Sequence, residues 1–246
     1  MAVDEESLIW GRRAVIEALT SGVPVNRVYL ATEARGPEIE VIKTAAKARQ
    51  VRYDFVEVGK LGALAGTRDH QEVVARLSPV AYTPLEALLR DLTPSGPAVL
   101  LALDQVQHPG NAGMAVRAAA AAGAAGVLLP IRGGRLVNAE VIRASAGTVF
   151  RIPLVATAHL TRDLRALKDH GFWIYALEAG AVQSLYAVDW PARCVLVVGN
   201  ETRGLRPSIK QAADAAIGIP LAAGVESLNV AVAAGVALFE IRRRQS

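Results

Sequence analysis

Five short runs of Val, Leu, Ile and Ala recur through the C-terminal part of this chain, and they constrain its fold more than any other feature. They are "AVLLALD" ending at Asp104, "GVLLP" at 126–130, "FWIYALE" at 172–178, "CVLVVGN" ending at Asn200 and "AAIGIP" ending at Pro220. Helical patterns fill the gaps between them. A strand that is apolar at nearly every position has to be covered on both faces. The alternation therefore predicts an α/β fold with a parallel sheet between two layers of helices. In such sheets ligands bind outside the carboxyl ends of the strands. The polar and glycine residues that need explaining fall there, at 104–111, 199–204 and 219–229.

Upstream, "RVYLAT", "VRYDFVEV" and "EVVARL" alternate with helical stretches near 11–20 and 37–50, the pattern of a small α/β domain. Between the two parts, "SPVAYTPLEALLRDLTPSGP" sets four prolines around one short helical pattern and reads as a linker. The expected division is a first domain at 1–78, a linker at 79–97 and a second domain at 98–246.

Composition narrows the class. No apolar run reaches the ~18 uninterrupted residues of a membrane span. The opening "MAVDEES" puts acid before apolar residues, the wrong order for a secretory signal. A single cysteine, Cys194, forms no internal disulfide. A soluble cytoplasmic protein without membrane contact is expected. Lys and Arg balance Asp and Glu at 11 against 11 over residues 1–80, but number 15 against 10 over 98–246, and 13 of those 15 are Arg. The planar guanidinium suits phosphate, so the surplus favours a polyanionic partner, although solvated helix faces account for it equally well.

Three loops carry the candidate chemistry. In "LDQVQHPGNAGMAVRAAAAAG", Pro109 and Gly110 turn the chain and Asn111 reads as the N-cap of a helix whose single charge is Arg117. Six residues separate the two by about 9 Å along the axis and off one another's face. They either flank a ligand or are a cap and a solvent-facing stripe. In "VLVVGNETRGL", Gly199 and Gly204 permit close backbone approach, and Glu201 and Arg203 pair with each other or with a ligand. In "GVESLNVAVAAGVALFEIRRR", Ser227 reads as the cap of a helix from Leu228 to about Arg244. Asn229 is unexplained by that reading, because an amide in the first turn of a helix apolar almost all round needs a partner.

Together these segments resemble the three motifs of the SPOUT superfamily, specifically the SpoU (TrmH-type) RNA ribose 2′-O-methyltransferases. They occur in the family's order as "HPGNAGMAVRAAAAAG", "VVGNETRGL" and "IGIPLAAGVESLNVAVAAGVALFE", and "IRASAGTVFRIPL" also matches. "IWGRRAVIEAL" and "DHQEVVARLSPV" resemble the ribosomal-protein-like RNA-binding domain of the 23S rRNA guanosine methyltransferases, with Glu72 where that family usually has glycine. The resemblance implies a parallel-sheet domain with a C-terminal deep trefoil knot, a homodimer, and S-adenosyl-L-methionine as cofactor, held by backbone groups of Gly199, Ile219 and Leu228. It implies Arg117 as the catalytic residue, supported by Asn111, Glu201, Ser227 and Asn229. A guanidinium with a reference pKa above ~12 is a poor proton acceptor, so orientation of the hydroxyl and charge stabilisation fit Arg117 better than a general-base role. No metal is required for attack on a sulfonium.

The implied activity is methyl transfer to a ribose 2′-hydroxyl in RNA, with a guanosine of 23S rRNA favoured over tRNA. The alternatives are a tRNA ribose methyltransferase and a catalytically silent RNA-binding protein of ribosome assembly. His70, His108, His159 and His170 show no metal-ligand spacing, and Trp10, Trp173 and Trp190 are too dispersed for a base-stacking platform. A dinucleotide-binding oxidoreductase would fit the sheet but lacks the glycine fingerprint for phosphate.

Overall fold

The computed structural model describes residues 8–94, 96–131 and 137–245; the acidic opening at 1–7 and Arg132 and Arg135 lie outside the described residues. The chain divides into two units, Met1–Val80 and Ala81–Ser246.

The first unit runs β1 (Leu8–Trp10), α1 (Arg12–Thr20), β2 (Val25–Ala31), α2 (Pro37–Ala48), β3 (Arg52–Val56), α3 (Val58–Ala65) and β4 (Val73–Leu77). Its sheet has the order β1-β4-β2-β3, with β2 parallel to β3 and antiparallel to β4. The turn into β4 is strained: Gln71 and Glu72 take φ of 49° and 65°, a region that glycine enters freely and other residues rarely. Arg12 holds it. The Arg12 backbone N–H donates to Gln71 Oε1 at 3.2 Å, Arg12 Nε donates to the Gln71 carbonyl at 3.3 Å, and the guanidinium pairs with Glu72.

The second unit runs α4 (Leu85–Asp91), β5 (Ala98–Leu103), α5 (Pro109–Ala122), β6 (Gly126–Pro130), α6 (Ala139–Ala144), β7 (Leu154–Thr157) and α7 (Leu160–Asp169). It continues with β8 (Trp173–Leu177), β9 (Gln183–Ser184), β10 (Arg193–Val198), α8 (Pro207–Ala212), β11 (Ala215–Gly218) and α9 (Val230–Gln245). The sheet order is β7-β6-β5-β10-β8-β11-β9, and every pairing is parallel. Each apolar run therefore became a strand, and β7 and β9 extend the sheet beyond them at its two edges.

Strand side chains alternate between two apolar layers. Leu100, Ala102, Val195 and Val197 join one cluster with Leu164 and Leu167 of α7 and Ile209 of α8. Leu85 and Leu88 of α4 are buried in that same cluster, so the stretch expected as a free linker is core of the second unit. Truncating a fully buried leucine such as Leu100 to alanine costs about 2–5 kcal/mol. On the other layer, α5 packs against α6 and α9, and α9 also packs on β10. Cys194, in β10, is fully buried, and burial pushes its thiol up to about 12.

Among the described residues no helix is long and apolar enough to cross a membrane, and no three His, Cys, Asp or Glu side chains gather to hold a metal ion.

Candidate active site

Strands β5, β10, β8 and β11 are consecutive neighbours in the sheet, so the chain leaves all four on the same side. The loops that follow them, after Leu103, Val198, Leu177 and Gly218, are brought side by side, although the sequence separates them widely. A cleft of about 700 Å³ lies among them and the start of α9. Leu177, Gly199, Ile219, Leu221 and Leu228 give it an apolar lining; Asn111, Glu201, Arg203, Ser227 and Asn229 give it a polar one.

A relay of hydrogen bonds crosses the wall of this cleft. The Glu201 carboxylate accepts from the backbone N–H groups of Gln107 and His108 at 3.2 and 3.3 Å and from Asn111 Nδ2 at 2.8 Å. A carboxylate only accepts, so the Asn111 amide must turn its NH2 toward Glu201. Its oxygen is then left to accept Asn229 Nδ2 at 2.9 Å. The Asn229 oxygen in turn accepts the backbone N–H groups of Ala231 and Val232 at 2.9 and 3.3 Å, capping α9. One carboxylate thus fixes the sense of two amides and closes the beginnings of two helices. Burial alone would raise the Glu201 pKa, but the bonds from Asn111 and from the backbone N–H groups of Glu201, Gln107 and His108 outweigh it and hold the carboxyl below its ordinary range.

Two expected caps move. Helix α5 begins at Pro109 with His108 in the cap position, so Asn111 sits in the first turn, where its side chain is free to face Glu201. Helix α9 begins at Val230, and its cap is Asn229; Ser227 is exposed on the cleft wall. Asn111 is drawn to partners distant in sequence, Glu201 and Asn229, and Asn229 gives its oxygen to α9 and its NH2 to Asn111.

The loop after β10 is rigid. An ideal Cβ on Gly199 would lie 2.4 Å from the Gly204 carbonyl carbon, so no larger residue fits without displacing backbone. Asn200 and Gly204 exchange backbone hydrogen bonds of 3.0 and 2.9 Å, and Asn200 Oδ1 accepts from the N–H groups of Thr202 and Arg203. Asp104, fully buried at the end of β5, accepts from the Arg206 backbone at 2.9 Å and pairs with its guanidinium at 2.7 Å. Sequence reasoning missed Asn200 and Asp104. The signals were an asparagine opening a glycine-closed turn and an acid ending an otherwise apolar strand. Glu201 and Arg203, neighbours in the loop, do not pair; Glu201 is taken by α5.

Along 219–229, all described, only the Val225 N–H is bonded to a backbone carbonyl, that of Ala222 at 3.2 Å. The N–H groups of Ile219 and Leu228, two residues of the cleft wall, have no acceptor among the described residues, as a site read by main-chain groups requires. Arg117 lies apart from them. It is exposed on α5, is not part of the cleft wall, and makes no hydrogen bond or ion pair among the described residues. Met114, one turn before it on α5, is also exposed, as are Val232 and Phe239 of α9.

The model of the SpoU rRNA methylase family matches residues 98–239, and that for RNA 2′-O ribose methyltransferase substrate binding matches residues 8–83. This chain belongs to the SpoU rRNA methylase family. An uncharacterized tRNA/rRNA methyltransferase of Mycobacterium avium (strain 104) is 36% identical over 244 residues, which cover 98% of this chain and 79% of that one. The S-adenosylmethionine-bound rRNA methyltransferase of Sinorhizobium meliloti superposes with a TM-score of 0.73 at 30% identity, over 98% of this chain and 88% of its own. A structure solved for the 2-OH methylation of C/U34 on tRNA superposes with a TM-score of 0.55 at 31% identity, over 61% of this chain and 97% of its own. The SpoU methylase model spans every strand of the large sheet and all four loops of the cleft, so this SpoU protein is an RNA methyltransferase whose candidate active site is that cleft.

Proposed function

We propose that this SpoU methyltransferase methylates the 2′-hydroxyl of a guanosine ribose in 23S rRNA, in the cytoplasm, as a homodimer with a trefoil-knotted second unit. The observation that carries the reading is the relay from Glu201 through Asn111 to Asn229, built on the wall of a cleft that Ile219 and Leu228 line with N–H groups unbonded among the described residues. The cleft's volume, apolar lining and unbonded N–H groups fit S-adenosyl-L-methionine, with Gly199, Ile219 and Leu228 at its backbone. When bound, it supplies an electrophilic methyl group on a sulfonium.

The protein's own task is to align the hydroxyl and to stabilise the alkoxide that develops. Arg117 takes the second role and Ser227 helps to position the ribose, while Asn111, Glu201 and Asn229 fix the loops around them. The proton leaves to a phosphate oxygen of the substrate or to water. The dimer reading is supported by Met114, Val232 and Phe239, which are 44%, 52% and 49% exposed on neighbouring helices. Because Arg117 is absent from the cleft wall of its own chain, we assign it to the cleft of the partner protomer.

Ribosomal RNA is favoured over tRNA because the substrate-binding model matches 8–83, and the tRNA-linked structure covers only 61% of this chain. The test is incubation of the protein with labelled cofactor and separate pools of unmodified rRNA and tRNA, followed by mapping of bonds that resist alkaline hydrolysis. Label confined to one guanosine ribose of 23S rRNA is expected. Label in tRNA would select the tRNA alternative, and RNA binding without any transfer would select the silent assembly protein.

A further inference from the structure

The loop from Gly199 to Arg206 carries two arginines in opposite surroundings. Arg206 is committed to the fully buried Asp104. Arg203 lines the cleft and is exposed, and its side chain makes no hydrogen bond, ion pair or ring contact among the described residues. The cleft's other long cation, Lys210, is paired with Glu178. Of its carboxylates, Glu178 is used by Lys210 and Glu201 by Asn111 and the start of α5, and Glu226 makes no ion pair with Arg203.

A surface arginine without a partner is ordinary, and exposure alone says nothing. Arg203 differs in the rigidity of its base. Its N–H donates to Asn200 Oδ1 at 2.9 Å, and the turn is closed by the paired backbone bonds of Asn200 and Gly204. Gly199 and the backbone of Gly204 and Leu205 approach so closely that a Cβ would not fit between them. A guanidinium on a fixed base forfeits only side-chain freedom when it takes up an anion, and its planar fork matches two phosphate oxygens. Every ribose in an RNA chain is flanked by phosphate. We propose that Arg203 is a substrate-binding residue that grips a backbone phosphate beside the target ribose, at the mouth of the cleft. This rests on the RNA methyltransferase reading above, and it gives the two arginines of one loop separate tasks: Arg206 holds the loop and Arg203 holds the substrate.

The experiment compares the full-length protein with Arg203→Ala and Arg203→Lys, using an unmodified 23S rRNA transcript as probe. RNA affinity is measured over a salt series, cofactor affinity by calorimetry, and kcat and KM by methyl incorporation. For Arg203→Ala, KM for RNA should rise about tenfold with kcat retained. The slope of log affinity against log salt should flatten by roughly 0.7–0.9, the signature of one lost phosphate contact. Cofactor affinity and unfolding temperature should not change. Arg203→Lys should keep the slope and recover only part of the KM, because it keeps the charge and loses the fork. Unchanged RNA affinity and slope in Arg203→Ala would overturn the proposal. So would weaker cofactor binding with RNA binding intact, which would reassign the guanidinium to the cofactor's carboxylate. Binding is read separately from turnover, so a protein that shows the Arg203 salt signature but transfers no methyl group would overturn the enzymatic reading and leave the phosphate contact standing.

Discussion

Asn229 Nδ2 lies 2.9 Å from Asn111 Oδ1, joining the first turns of two helices whose joined residues are 118 positions apart in sequence. Arg242 Nη1 donates to the Ala121 carbonyl at 2.8 Å near the other ends of the same helices, so α5 and α9 run side by side in the same direction. The amide pair is therefore both a structural clasp and part of the cleft wall.

Its strength is measurable as a coupling. Asn229→Ala removes the α9 cap as well as the pair and should cost about 1–2 kcal/mol of stability. Asn111→Ala should cost about 1 kcal/mol and leave the cap in place. In the double variant the losses should fall short of their sum by about 0.5–1 kcal/mol, read by chemical denaturation, because the shared bond can be lost only once. Strict additivity would mean that the two amides do not interact in solution.

Acid should loosen the relay at Glu201. Its folded pKa is lowered, against an unfolded value of about 4.3, so the protein gains stability from its ionised form above that value and loses it as pH falls through the folded one. Glu201→Gln presents an NH2 where the relay needs an acceptor. The stability gap between wild type and Glu201→Gln should be constant above about pH 5 and should close on acidification. A gap that widens in acid would contradict the assignment of Glu201 as the ionised end of the relay.

Gly199→Ala should cripple the site without touching any polar group. The added methyl must displace the Gly204 backbone, and strain of this kind costs about 1–3 kcal/mol. Calorimetry with S-adenosyl-L-methionine should show cofactor binding lost or weakened at least about tenfold, a shift of one main-chain wall of the cleft being enough.

Arg117→Ala should leave stability within about 0.5 kcal/mol, since the side chain has no partner among the described residues, yet abolish methyl transfer while cofactor still binds. If Arg117 serves the partner's cleft, mixing Arg117→Ala with Gly199→Ala chains should restore roughly a quarter of wild-type activity, because half the dimers then hold one complete site. Phe239→Glu should yield monomers in sedimentation and no recovery in the same mixture. Full activity of Arg117→Ala alone would remove this residue from the chemistry.

The sheet was legible because parallel strands buried on both faces announce themselves as unbroken apolar runs. "AVLLALD", "GVLLP" and "CVLVVGN" became β5, β6 and β10 within a residue or so at either end. The edges were not. β7 is four residues, and β9 is Gln183–Ser184, which carries no apolar signal at all. The three loops were legible as glycine and amide clusters at strand ends, but not the partner of each group. Sequence leaves Glu201 to pair with Arg203, its neighbour in the loop, or with a ligand, whereas the sheet order carries it to Asn111. Helix starts failed for the same reason. Ser227 and Asn229 are both good caps by composition, and it is Asn229, which also donates to Asn111 of α5, that takes the position.

The clasp between residues 111 and 229 also makes synthesis an all-or-nothing event for this enzyme. A nascent chain that stalls or is cut between residues 84 and 228 already contains the whole segment at 8–83 that the substrate-binding family model matches, but lacks both α9 and the donor that Asn111 awaits. Such a fragment lacks part of the cleft wall, so incomplete translation products of this protein should transfer no methyl group.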